Sequence, residues 1–174
     1  MRHTGVPGNG NGGGTHQHAQ RLLNEGAKLL RQRRPAEAVD HLERARELDP
    51  TLVEVAINLG GAYVMQGRHK EAVSVLEEAS QRAPEHVMVW INLGVAYLGY
   101  LEESGEEGQL KAIAAFEKAL SLDPEAPSVN YNLGLIYKER GEMQKAAAHF
   151  WRALDVDPSD RDARIRLKQL GDQQ

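Results

Sequence analysis

The stretch WINLGVAYLGYLEESGEEGQLKAIAAFEKALSLDP, residues 90–124, closes on a phrase that the chain uses four times. SLDP at 121–124 is matched by ELDP at 47–50, QRAP at 81–84 and DVDP at 155–158. The four prolines, Pro50, Pro84, Pro124 and Pro158, are separated by 34, 40 and 34 residues. Other columns keep the same step. Gly26, Gly60, Gly94 and Gly134 form one, and Leu29, Tyr63, Tyr97 and Tyr137 another. Ala38, Ala72, Ala112 and Ala146 form a third, and Ala45, Ala79, Ala119 and Ala153 a fourth. Recurrence in register across several columns marks a repeated structural unit.

Each column has a physical reason. Proline lacks an amide proton and turns the preceding residue away from α geometry, so it ends a helix. Glycine inside a helix costs about 1 kcal/mol relative to alanine. Four such glycines at one phase imply that something approaches closely there. The alanine columns are the expected partner surface, since small facing residues bring two helices to the near end of the usual spacing. Gly67 and Gly141 stand where the first helix of a pair must stop, in the left-handed conformation that glycine allows. Arg33 holds that place in the first unit and Pro35 follows as a good first helical residue.

Composition narrows the function classes. The 174 residues carry 21 Lys+Arg against 25 Asp+Glu, a formal charge of -4. A general nucleic-acid binder needs a basic footprint instead. With no cysteine there is no disulfide, thiolate nucleophile or cysteine-ligated metal. The longest apolar runs, 87–91 and 112–116, fall far short of the roughly 20 residues of a membrane span. The first twenty residues have no apolar core suited to a secretory signal, so a cytoplasmic location is the default expectation. Residues 1–18, MRHTGVPGNGNGGGTHQH, cannot bury enough apolar surface to offset ordering and read as a disordered tail. His3, His16 and His18 lack a carboxylate or thiolate that would complete a metal site there.

The columns resemble the tetratricopeptide repeat (TPR) family, whose 34-residue helix–turn–helix unit carries Trp, Leu-Gly, Tyr, Ala, Phe, Ala and Pro at fixed offsets. The third unit shows the phrase most fully, as Trp90, Leu93-Gly94, Tyr97, Ala112, Phe116, Ala119 and Pro124. The second reads Leu59-Gly60, Tyr63, Ala72, Leu76, Ala79, Pro84, and the fourth Leu133-Gly134, Tyr137, Ala146, Phe150, Ala153, Pro158. In the first, Glu25-Gly26, Leu29, Ala38, Leu42, Ala45 and Pro50 keep less of it. The resemblance implies an all-α, right-handed superhelical solenoid with a concave inner face. Its repeats span 19–52, 53–86, 87–126 and 127–160, and 161–174 form a capping helix. The third unit is six residues longer than 34. Its excess, around GYLEESGEEGQ at 99–109, holds Glu102, Glu103, Glu106 and Glu107 and reads as an extended helix end with an acidic surface loop, or as a docking loop.

No catalytic motif emerges. There is no glycine-rich phosphate loop with a following lysine, no nucleophile elbow, and no metal-ligand spacing among His41, His69, His86 and His149. Neither a cofactor nor a metal is expected, and the chain reads as a non-enzyme. The informative feature is a second apolar stripe on the first helix of each unit: Ile57, Gly61, Val64, with equivalents Leu23, Ala27, Leu30; Ile91, Val95, Leu98; and Tyr131, Leu135, Lys138. A helix apolar on two sides is fully buried or displays a surface. In the family this stripe lines the concave groove.

Asn24, Asn58, Asn92 and Asn132 flank it. Such amides can pair with the backbone of a bound peptide, as in the similar asparagine ladder of the repeats of O-linked N-acetylglucosamine transferase. They can equally bond the neighbouring repeat. Family members that grip acidic chaperone tails use lysine, arginine and asparagine along the groove. Leu23, Ala27, Met88 and Asn92 at the matching positions here do not suit that role. The expected function is a scaffold or adaptor that binds an extended or helical segment of a protein partner. The alternative is self-assembly, with the groove filled by another copy or by a terminal segment. Nucleic acid and membrane are not expected partners.

Overall fold

A computed structural model describes residues 12–99 and 105–171 of the chain. Nine helices and no strand occur among them: α1 (Gly12–Arg31), α2 (Pro35–Leu48), α3 (Val53–Met65), α4 (His69–Arg82), α5 (Val87–Leu98), α6 (Gly105–Leu122), α7 (Val129–Glu139), α8 (Met143–Val156) and α9 (Arg161–Gly171). Helices pair in order, α1 with α2 through α7 with α8, and α9 covers α8. Each pair also packs on the next, α2 on α3 and α4 on α5, so the elements form an all-α solenoid. The apolar core runs along the stack rather than collecting at one centre.

The glycine column does mark a close approach, but its partner differs from expectation. A β-carbon at Gly26, Gly60, Gly94 or Gly134 would lie 2.6 Å from Leu42, Leu76, Phe116 or Phe150 respectively. The largest fully buried side chain of each second helix therefore fills the notch that glycine leaves in the first. The alanines are buried around that contact and are not what the glycine meets. In α9 the register position of this glycine is Lys168, which is exposed. No second helix follows α9 among the described residues, so no notch is needed there.

The helix-ending phrase also does more than break a helix. The Asp49 carboxylate accepts from the Thr51 amide at 3.0 Å, Asp123 from Glu125 at 3.0 Å, and Asp157 from Ser159 at 2.9 Å. Each aspartate before proline closes an Asx turn. The same bonds hold the Asp157 carboxyl below the ordinary range, with the Ser159 hydroxyl contributing most. Gly67 and Gly141 take φ of 71° and 75° between paired helices, and Arg33 is driven to 57° at the same place. For a side chain with a β-carbon, that conformation costs about 1–2 kcal/mol.

The first three repeats are joined by a tyrosine ladder. The Tyr63 hydroxyl donates to Glu43 of the preceding repeat, and Tyr97 donates to Glu77 at 2.6 Å. Arg68 lies over the Tyr63 ring at 4.4 Å, and Lys111 over Tyr97 at 5.9 Å. The N-terminal edge departs from this pattern. Where later repeats place Val55, Leu59 and Ala62 against the unit before them, α1 places Arg21, Glu25 and Lys28, all exposed.

Two sequence boundaries shift. Helix α1 begins at Gly12, so 12–18 are helical rather than part of the expected tail, while 1–11, with His3, lie outside the described residues. His16 Nδ1 sits 2.6 Å from Asp49 Oδ2 and ties this extension to the α2–α3 turn. The six extra residues of the third unit lengthen α6 to 18 residues against 14 in α2, α4 and α8. Glu106 and Glu107 fall in its first turn, where acidic groups suit the helix dipole, and Lys111 pairs with Glu107 at 2.8 Å. Glu102 and Glu103 lie outside the described residues.

The adjacent glycines of α3 separate packing from propensity. Both Gly60→Ala and Gly61→Ala gain about 1 kcal/mol of helix propensity. At Gly61 the nearest obstacle is Asn92 Nδ2 at 3.9 Å. Gly61→Ala should therefore raise the urea midpoint, whereas Gly60→Ala should lower it, because overpacking against Leu76 costs about 1–3 kcal/mol.

The tyrosine ladder sets a pH dependence. Burial and the Glu43 carboxylate push the Tyr63 phenol up to about 12. The folded chain holds that proton more tightly than the unfolded chain does, whose phenol titrates near about 10. The contribution is complete below that value and is lost as pH rises through about 12. Tyr63→Phe should cost about 1 kcal/mol at neutral pH. The gap between variant and parent in chemical denaturation should close across that alkaline range.

Candidate functional site

Helices α1, α3 and α5 lie side by side and display one continuous face. At 100° per residue, from 3.6 residues per turn, the stripe Ile57–Gly61–Val64 lies about a quarter turn or less from the glycine that meets α4. Glu54, Asn58 and Met65 lie about 120–160° away, on the open side. The exposed face is therefore centred on the asparagine column. The aliphatic stripe runs down the seam between neighbouring first helices.

Burial follows that geometry. Leu23, Ile91 and Leu98 are only 5%, 6% and 7% exposed and belong to the core. These three expected groove residues lie in the seam because the adjacent helices close over them. Leu30, Ile57, Val64, Val95, Tyr131 and Leu135 are half-buried, each with part of its side chain at the surface. Two residues absent from the expected set are far more open, Met65 at 48% and Met88 at 39%. Their signal was in the sequence. Met65 lies four residues beyond Gly61, and Met88 four before Asn92, which places both on the open side. Ile165 of α9, 52% exposed, falls in register with Leu23, Ile57, Ile91 and Tyr131 and extends their column to the cap.

The asparagines divide. Asn92 Nδ2 donates to the Ile57 carbonyl at 3.1 Å and fastens α5 to α3. Asn58 donates to Glu54 O at 2.7 Å and Asn132 to Ser128 O at 3.0 Å, each within its own helix. Asn24 is exposed on α1. Bonding to the neighbouring repeat thus occurs at one of the four positions. At Asn58 and Asn132 one amide proton is already engaged by the backbone, which leaves the carbonyl oxygen and the second amide proton available.

The face is almost free of charge between its ends. Across the middle run Ile57, Asn58, Gly61, Val64, Met65, Met88, Asn92 and Val95, with the exposed Glu54 beside Asn58, Arg31 in register with Met65 on the first repeat, and Lys138 and Glu139 on the fourth. No group of three metal-ligating side chains assembles among the described residues, and no described helix is long and apolar enough to cross a membrane. His16, one of the N-terminal histidines, is engaged with Asp49. His149 bonds Asn130 at 3.0 Å through Nδ1 and stacks on Tyr137, and burial pushes its pKa down.

A stack of helix pairs whose first helices build a partly apolar face is the architecture of a protein-interaction scaffold. Family comparison makes the class specific. Models described as "Tetratricopeptide repeat" match residues 29–90 and 127–160, and one described as "TPR repeat" matches 107–141. The chain belongs to the tetratricopeptide repeat family, with four repeats and a C-terminal capping helix.

Solved structures agree on the fold. A thermophilic TPR protein of Thermus thermophilus superposes with a TM-score of 0.77 at 24% identity, covering 87% of this chain and 80% of that one. MamA (41-end) from Desulfovibrio magneticus RS-1 superposes at 0.69 and 26% identity, covering 83% and 78%. A further structure, MamA MSR-1 C2, superposes at 0.70 and 25%, covering 89% and 86%. No curated protein matches the chain by sequence.

The burial pattern separates core from surface in one experiment. Ile91→Asp and Leu98→Asp each place an unpaired carboxylate in the seam and should cost more than about 3 kcal/mol. Met65→Asp and Met88→Asp should stay within about 0.5 kcal/mol of the parent. Thermal denaturation followed by helical circular dichroism reads both.

Proposed function

We propose that the face formed by α1, α3, α5 and α7 receives an uncharged, apolar segment of another protein, extended or helical, and that the chain acts as a non-catalytic adaptor. The observation that carries this reading is the row of half-buried aliphatics, Ile57, Val64 and Val95, bounded by the open Met65 and Met88. Exposed apolar surface of this kind gains free energy when covered, at roughly 25 cal/mol per Å². Methionine side chains adapt to differently shaped partners. Helix-in-groove recognition uses anchors at the spacing such a seam accepts. The Asn58 and Asn132 oxygens supply acceptors beside the apolar row.

The scarcity of charge on the face argues against acidic tails and nucleic acid, neither of which it could neutralise. The same reading places the protein in the cytoplasm, consistent with a chain free of cysteine. Filling of the face by a second copy receives its support from Ile165 and Trp151, both exposed at the C-terminal end. The charged edge at Arg21, Glu25 and Lys28 opposes head-to-tail stacking.

The test is a double variant, Met65→Glu with Met88→Glu, beside the parent in affinity capture and in light scattering. Partners recovered by the parent should be lost at least tenfold by the variant, with both chains monomeric and equally helical. Equal recovery would remove the face from the binding surface. A dimer in the parent that the variant dissolves would favour self-occupancy.

A further inference from the structure

We propose that the solenoid carries a built-in joint between its third and fourth repeats, about which α7, α8 and α9 swing as one body relative to α1–α6.

The first two junctions are held at a fixed angle by directional bonds. Between the first and second repeats, Tyr63 donates to Glu43, Arg46 pairs with Glu78, and Arg82 Nη1 donates to Pro50 O at 2.5 Å. Between the second and third, Tyr97 donates to Glu77 and Asn92 to Ile57 O. In both, the first helices also lie along one another, α1 on α3 and α3 on α5.

Among the described residues, the third junction lacks each of these devices. Tyr137 occupies the ladder position, but among the described residues no bond joins it to Glu117, the register equivalent of Glu43 and Glu77. Its ring stacks instead on His149 of its own repeat, 5.3 Å away, with Lys145 at 5.1 Å from the centroid. Asn132 donates to Ser128 O in its own helix rather than across to α5. The α5 and α7 backbones approach each other less closely than those of α3 and α5, and α6 packs on α7 more loosely than α2 on α3 or α4 on α5. Among the described residues, the polar links that remain run from one side chain: Arg140 reaches Gln109 at 3.4 Å and Glu106, an exposed residue, at 3.9 Å.

The cause is local and lies in the connecting turn. Helices α3 and α5 start at Val53 and Val87, and the register equivalent of those residues before α7 is Pro127. Ser128 then takes φ of 61°, a left-handed conformation, and α7 begins at Val129, two residues late. The missing half-turn is the part that would lie against the start of α5. Val129, Leu133 and Ile136 of α7 still bury themselves against α5 and α6. Apolar burial resists separation but is not directional, whereas hydrogen bonds fix an angle. A junction holding the first and missing most of the second can roll without coming apart, as hinge and shear motions do. The two halves of the concave face then change their mutual angle.

Register supplies the measuring points. Ser74, Ala114 and Ala148 occupy the same exposed position of α4, α6 and α8. The chain has no cysteine, so paired cysteines introduced there carry spin labels without background. In double electron–electron resonance on the full chain, Ser74→Cys with Ala114→Cys should give a narrow distance distribution across the second junction. Ala114→Cys with Ala148→Cys should give one at least twice as wide across the third. Equal widths would overturn the joint.

Pro127→Val with Ser128→Glu, the residues of the second repeat at those places, should extend α7 backward and narrow the second distribution toward the first. If that variant folds with full helicity and the width is unchanged, the turn is not the origin of the motion and the proposed mechanism fails. If it does not fold, the comparison of the two pairs in the otherwise unaltered chain still decides.

Discussion

The whole stack depends on one contact made four times: a leucine or phenylalanine from the second helix of each pair seated on a glycine of the first. The contact is a distance constraint. With a β-carbon in place the two helices must move apart, and the alanines beside the contact lose the packing that makes their small size useful. The distance then sets what each pair offers its neighbours, because the next pair packs on the ridge these two helices form together. Tyr63 reaches Glu43 and Tyr97 reaches Glu77 only because the ridge heights match from unit to unit.

Much of this was legible in the sequence, for a physical reason. A repeat array makes each structural demand several times, so a residue forced by backbone geometry or close packing appears as a column. Prolines after helices, glycines in left-handed turns and glycines under a bulky neighbour all announce themselves in that way. Spacing cannot say which column faces which. The glycines were matched to alanines on size, whereas the structure matches them to Leu42, Leu76, Phe116 and Phe150, a large residue entering a gap. The aspartates of the ELDP, SLDP and DVDP phrases were visible as repeats, yet their Asx bonds became readable only with the turn in place.

The exposure of the candidate face was less legible, and the departures share a cause. A stripe of apolar residues on a helix has a phase, but its exposure depends on which side chains the neighbouring units lay over it. Ile57 and Ile91 hold equivalent places in the sequence. The first keeps part of its side chain at the surface and the second does not. Asn92 and Asn132 likewise look interchangeable, and they bond in different directions because the helices beside them lie at different distances. Periodicity identifies a unit, and deviations from periodicity are settled between units.

The charged residues at the two ends of the stack bear on how such a molecule can grow. Arg21, Glu25 and Lys28 stand where an interior unit offers valine, leucine and alanine, and Lys168 stands where it offers glycine. A duplicated copy of the second unit spliced in beside the original would find matching surfaces before and behind it. The same copy placed ahead of Arg21 would press its apolar ridge against solvated ions. Lengthening by internal duplication is therefore an easy step for this architecture and lengthening at the margins a hard one, which gives the gene a preferred direction in which to change.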